Sequence, residues 1–154
     1  MKFRIEEDSL GKVRVPRNAL WGAQTQRAID NFPISGISMN FPFTNTFIAM
    51  LGYVKDASAR ANKNLKLLEA KKQKVISRAA KEVWTNKHGK EFPIDVFQTG
   101  SGTSTNMNAN EVIANLCYKT SKVKIHPNDD VNMSQSSNDV TVSYTHLRAH
   151  ETTL

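Results

Sequence analysis

The chain has one cysteine, Cys117, so no disulfide can form within it. Stability must then come from burial of apolar side chains, and the lone thiol fits a reducing compartment. It lies in "VIANLCYKT", which reads as an apolar helix face, so Cys117 is expected to be inert packing and not a nucleophile. No apolar run approaches the roughly 20 residues that span a bilayer. The opening "MKFRIEEDSL" has no apolar stretch of secretory type and no transit peptide is seen, so a cytoplasmic protein is expected before a mitochondrial-matrix one. There is no aromatic motif of the kind that stacks RNA bases, no zinc-finger spacing and no arginine-rich tract, which leaves nucleic-acid binding without a motif. Internal repeats and low-complexity linkers are also absent.

What remains suits one soluble domain. A chain of 154 residues can bury roughly 70% of the surface it exposes when unfolded. The net charge of +7 suits either a nucleic acid or a site that attracts small anions. The lysines do not decide between these. Lys63, Lys66, Lys71, Lys72, Lys74 and Lys81 are interleaved with apolar residues and read as the wet faces of helices.

Residues 1–36 read as an irregular leader draped over a core, with short strands or extended arms where Val13 and Val15 alternate with polar residues. From about Thr44 the spacing changes. Phe47, Ile48, Leu51, Val54, Ala57, Ala61, Leu65 and Leu68 recur in steps of three and four, which predicts a helix over about 44–68. Alanines at 57, 59 and 61 are expected to allow close packing against another helix. A second helix is predicted over 69–85, with Val75, Ile76, Ala79, Ala80, Val83 and Trp84 on its apolar face, ended by Gly89 and Pro93. "IDVFQ" is β-capable, or an extended approach to the next element. A third helix is predicted from about Thr103.

Two polar clusters invite a chemical reading. In "GSGTSTN", residues 100–106, a glycine turn leads into a helix start, with serine and threonine expected to supply N-cap hydroxyls. A helix start leaves backbone N–H groups free and carries partial positive charge, which suits a carboxylate or phosphate. The loop lacks the Gly-Lys-Ser/Thr end of a nucleotide-binding loop. Asn106, Asn108, Asn110 and Asn115 follow, and Asn106 and Asn110 share a helical face. So many poor helix formers imply a polar network or donors aimed at a ligand. The second cluster, "HPNDDVNMSQSSND", offers His126, which can titrate near neutrality, and two hydroxyls and an amide at Ser136, Ser137 and Asn138. Asp129, Asp130 and Asp139 match no metal-site spacing, so no metal and no cofactor are expected.

Together, "DSLGKVRVP…LWGAQTQRAIDNF", "GSGTSTNMNANEVIAN" and "HPNDDVNMSQSSND" resemble the N-terminal domain of class II fumarase, the iron-independent fumarate hydratase of the fumarase/aspartase superfamily, over roughly residues 2–140. The resemblance implies a mainly α fold with an extended N-terminal arm and short strands, lacking the family's central helix bundle. It implies reversible hydration of fumarate to L-malate in the tricarboxylic acid cycle, within a homotetramer. Ser101, Gly102, Thr103 and Asn106 would hold one substrate carboxylate, with Ser136, Ser137 and Asn138 on the opposing side. His126, Pro127, Asn128 and Asp129 would form the family's second dicarboxylate site. That site usually has an arginine shortly before the histidine, where Val123 stands here; Lys122 or Lys124 could substitute.

The family's catalytic histidine and loop serine lie in segments that the resemblance does not reach, so the chain alone is expected to be inactive. Residues 1–140 are expected to be the lyase-like domain and residues 141–154 a non-native read-through tail, with no role for His146 or His150. Two other readings stay open: a fragment of an aspartate ammonia-lyase, and a basic non-catalytic binding module. "SQSSND" and the histidine of "HPND" favour the hydratase over the ammonia-lyase.

Overall fold

The computed structural model describes residues 2–40, 45–138, 140 and 142. Asp139 and nearly all of the 141–154 segment, including His146 and His150, lie outside the described residues.

The leader is more ordered than its composition implies. β1 (Phe3–Asp8) and β2 (Gly11–Pro16) form an antiparallel hairpin in which Phe3 pairs with Pro16 and Asp8 with Gly11. Arg4 locks the exit of β2. Its guanidinium donates to the carbonyls of Pro16 at 2.8 Å, Ala19 at 2.7 Å and Trp21 at 2.6 Å. A helix then follows that the sequence reading passes over, α1 (Ala23–Asn31). Its N-cap is Gly22, which has no side chain to cap with, so the local start signal is missing. The cap comes instead from Glu111, far along the chain. Its carboxylate accepts from the N–H groups of Gly22 at 2.8 Å, Gln24 at 2.9 Å and Thr25 at 3.1 Å. A Cβ at Gly22 would meet the Glu111 and Glu6 carboxylates at 2.8 Å, so a larger residue there would displace the carboxylate that caps the helix.

The next two helices form where their apolar periodicity places them, with corrections to the extent and buried face of α2. α2 (Asn45–Asn64) ends earlier than predicted. Lys66 turns to a φ of 61°, Leu67 and Leu68 donate back to the Asn62 carbonyl, and Leu65 is left exposed while Leu68 is buried. The buried stripe runs through Ile48, Leu51, Gly52, Lys55, Ala59 and Asn62, which are neighbours at steps of three and four. Ala57 and Ala61 lie off this stripe and are exposed. The close approach is made at Gly52, where a Cβ would stand 2.9 Å from the Trp84 nitrogen and 3.1 Å from the Ala80 oxygen. α3 (Ala70–Trp84) buries Ile76, Ala79, Ala80 and Val83 against α2, and Trp84 stacks on Tyr53 with centroids 4.4 Å apart.

The "IDVFQ" segment makes a single bridge, Ser38 to Asp95, and no named strand. Asp95 ties this crossing together by accepting from Ser35, Gly36 and Phe97. Burial alone would raise its pKa, but those hydrogen bonds hold it down at about 2. α4 (Thr103–Ser121) is the axis of the domain, with every residue from 105 to 114 buried. It contacts α1, α2, α3 and a π-helical turn at Pro127–Val131. Cys117 is fully buried on α4, and burial pushes its thiol up to about 12.

Candidate functional site

The start of α4 is built differently from the sequence expectation. The N-cap is Gly102, in the left-handed region at φ 68°, and no serine or threonine caps the helix with its side chain. Glycine takes that conformation without strain. The capping acceptor is Gln98, seven residues upstream: its Oε1 accepts from the Thr105 N–H at 2.9 Å while its Nε2 donates to the Thr105 hydroxyl. With Gln98 as the clamp, the Ser101 and Thr103 hydroxyls are not consumed as caps and lie 2.9 Å from each other.

The asparagines of α4 divide into two roles. Asn108 and Asn115 are structural ties, donating to the carbonyls of Glu91 at 2.8 Å and Leu20 at 2.7 Å. Asn106 and Asn110 share a face, as their spacing predicts, and both donate to the Asn132 Oδ1, at 3.1 and 3.2 Å. Asn106 also donates to the Ser137 hydroxyl at 3.2 Å. The first cluster is thereby joined to the second. Ser137 begins a helical turn, with Ser136 and Asn138 exposed beside it. Among the described residues, the Oδ1 atoms of Asn106, Asn108 and Asn110 are buried without a partner. Unpaired buried acceptors are costly, so these three positions keep acceptor capacity that packing does not use.

The sequence reading missed one member of the network. Lys55 of α2 is fully buried and donates to Asn132 Oδ1 at 2.9 Å and Gln135 Oε1 at 3.0 Å. Burial pushes its pKa down to about 7. A charged residue between Leu51 and Ala59 at helical spacing was the available signal.

His126, Pro127 and Asn128 sit apart from this network. They line a cavity of about 440 Å³ together with Glu6, Glu7, Asp8 and Glu111. His126 Nδ1 accepts from the Asp129 N–H at 3.1 Å, and Asp130 accepts from the His126 N–H and from Lys72. Asp129 itself is exposed and does not line the cavity. Of the two lysines considered as substitutes for the arginine, Lys122 lies over the Tyr118 ring at 5.6 Å and Lys124 is exposed. Among the described residues, no cluster of three or more histidine, cysteine or carboxylate groups is placed to hold a metal ion, and no helix is long and apolar enough to cross a membrane.

Residues 11–153 match the family described as Lyase, and the chain belongs to that family. Within it, the chain is similar to class II fumarate hydratases. It is 57% identical over 139 residues to that of Xylella fastidiosa, covering 90% of this chain and 28% of the relative. It is 55% identical over 149 residues to that of Mycobacterium tuberculosis, covering 97% of this chain and 30% of the relative. The chain thus spans less than a third of the length of these curated relatives. Among solved structures it superposes on a fumarate lyase:delta crystallin from Brucella melitensis, with a TM-score of 0.90 and 42% identity over 95% of this chain and 35% of that one. It also superposes on a recombinant class II fumarase from Schistosoma mansoni, with a TM-score of 0.87 and 37% identity over 95% of this chain and 31% of that one. The fold is therefore the N-terminal domain of the fumarase/aspartase fold, mainly helical with a short two-stranded sheet.

Proposed function

We propose that this chain is the N-terminal part of a class II fumarate hydratase, whose whole protein interconverts fumarate and L-malate in the tricarboxylic acid cycle. The observation that carries this is the hydrogen bond from Asn106 to Ser137, which joins the two donor clusters. The reaction removes a proton from a carbon next to a carboxylate, and negative charge builds on that carboxylate. Fixed neutral donors meet such charge without having to reorganise, which is usually the largest catalytic contribution. Ser101, Gly102, Thr103 and Asn106 form one side of the pocket at the start of α4, and Ser136, Ser137 and Asn138 the other. The hydratase reading is preferred to the ammonia-lyase reading because the matched relatives carry the hydratase name.

The same reading places a homotetramer in the cytoplasm and a second dicarboxylate site at His126, Pro127, Asn128 and Asp129. The carboxylates lining the neighbouring cavity make that second site the weaker of the two. The remaining catalytic groups belong to the portion of the relatives that this chain does not span, so the isolated chain is expected to be inactive. The test compares the isolated chain with the whole protein that contains it. Fumarate loss and malate formation are expected only in the whole protein. Ammonia release from aspartate by the whole protein would overturn the hydratase reading, and turnover by the isolated chain would overturn the division of labour.

A further inference from the structure

Lys55 sits at the centre of the buried stripe of α2, one turn from Leu51 and one turn from Ala59. Among the described residues no carboxylate pairs with its ammonium, and both of its acceptors are neutral amides. A buried cation without a counter-charge is expensive. An apolar side chain would fill the same place in the helix at less cost, so packing does not explain the lysine.

Its hydrogen-bonding chemistry does. An ammonium has three donors and no acceptor. It therefore compels Asn132 and Gln135 to turn their oxygens toward α2, and each remaining amide has one orientation left. The Asn132 amide nitrogen donates to the Gln135 backbone carbonyl at 3.0 Å. The Gln135 amide nitrogen donates to the carbonyls of Val131 at 2.9 Å and Met133 at 3.2 Å. Asn106, facing an oxygen on Asn132, must present its nitrogen, and that same nitrogen donates to Ser137. The Ser137 oxygen spends a lone pair on this bond, so its hydrogen points away from the Asn106 amide.

We propose that Lys55 is a positioning residue for the carboxylate pocket: it fixes the amide orientations of Asn132 and Asn106, through them aims the Ser137 hydroxyl, and sets a positive charge behind the donors that receive the anion. The inference rests on the reading of Ser137 as a carboxylate donor. Lys55 touches no substrate and acts only through its neighbours. With its pKa near 7, its charge responds to what binds in front of it. Linkage is reciprocal, so a bound dianion raises the proton affinity of Lys55.

The test is an NMR titration of the full chain with labelled lysine and asparagine side chains. One lysine is expected to titrate near pH 7, and its signal is absent from Lys55→Met and Lys55→Gln. The side-chain amides of Asn106 and Asn132 and the backbone amide of Ser137 shift with the same midpoint, while those of Asn108 and Asn115 do not. A lysine that only fills space would leave Asn106 and Ser137 unmoved through its titration, and that result overturns the proposal. Should both variants fail to fold, the wild-type titration still decides. Added fumarate is expected to raise the Lys55 midpoint by about 1 pH unit, equivalent to a tenfold linkage. Shifts at residues 101–103 and 136–138 with no change at Lys55 overturn the charge role. No fumarate shift anywhere, with the co-titration intact, sinks the carboxylate reading and leaves the positioning of Ser137 standing.

Discussion

The ammonium of Lys55 titrates at about 7 in the fold, against an ordinary value of 10.5. The unfolded chain therefore holds more protons between those two values, and stability rises as pH climbs through the window. Below pH 7 the whole cost of burying the charge is felt, roughly a few kcal/mol at 1.36 kcal/mol per pKa unit. Urea midpoints measured from about pH 7 to about pH 8.5 are expected to rise for the wild type and to rise less for Lys55→Met. The range stops there because the Cys117 thiol, raised to about 12 from 9.0, opposes the trend once the unfolded chain ionises. Equal slopes for the two proteins would show that the buried lysine is not the cause. Asn106 supports both sides of the proposed pocket, so Asn106→Ala removes two donated hydrogen bonds. Both bonds go to neutral partners and use the two amide hydrogens of Asn106, so its loss acts by releasing Asn132 and Ser137; fumarate binding, read by amide shifts, should weaken about tenfold, in line with about 0.5–1.5 kcal/mol for each neutral bond. Unchanged affinity in a folded variant would take Asn106 out of the site.

α1 shows how an element can depend on a side chain far away in the sequence. Three of its first N–H groups end on the Glu111 carboxylate, which burial pushes toward a higher pKa and those same N–H groups pull back. Glu111→Ala leaves these donors without a partner, with an expected loss of about 2–4 kcal/mol. Hydrogen exchange should quicken in Ala23–Asn31 far more than in Ala70–Trp84. Equal protection in both helices would mean that the cap is dispensable. α2 and α3 depend on Gly52. Alanine there gains about 1 kcal/mol of helix propensity, but its Cβ would press on two backbone atoms of α3 that cannot swing aside. Overpacking of this kind costs about 1–3 kcal/mol. Gly52→Ala is therefore expected to lower the melting temperature, and an increase would show that the helices can part freely.

At the scale of the whole molecule, three helices close on one another. Ile48, Leu51, Ile76, Val83, Val112 and Ile113 are all buried in the core they share. Around that core the net charge is +7, which favours the approach of a dianion over distances comparable with the Debye length. Raising ionic strength from about 50 to about 500 mM should weaken fumarate binding severalfold, since the Debye length falls by roughly two thirds. A flat salt response would confine the attraction to the hydrogen bonds of the pocket.

α2, α3 and α4 are legible in the order of residues because helical periodicity is local, with each apolar side chain covering a neighbour three or four positions away. The two donor clusters are legible for the same reason, each being a short contiguous run. α1 is not, because Gly22 carries no cap and the Glu111 that replaces it is 89 residues distant. Lys55 is not, because charge within an apolar stripe is ordinarily placed on the wet side. Its burial depends on Asn132 and Gln135 arriving from more than 75 residues away. The sequence by itself determined that α2, α3 and α4 are helical and which short runs carry donors, since both follow from near neighbours. Only the tertiary structure decided where those donors point, because the orientation of a buried amide depends on which distant group it meets.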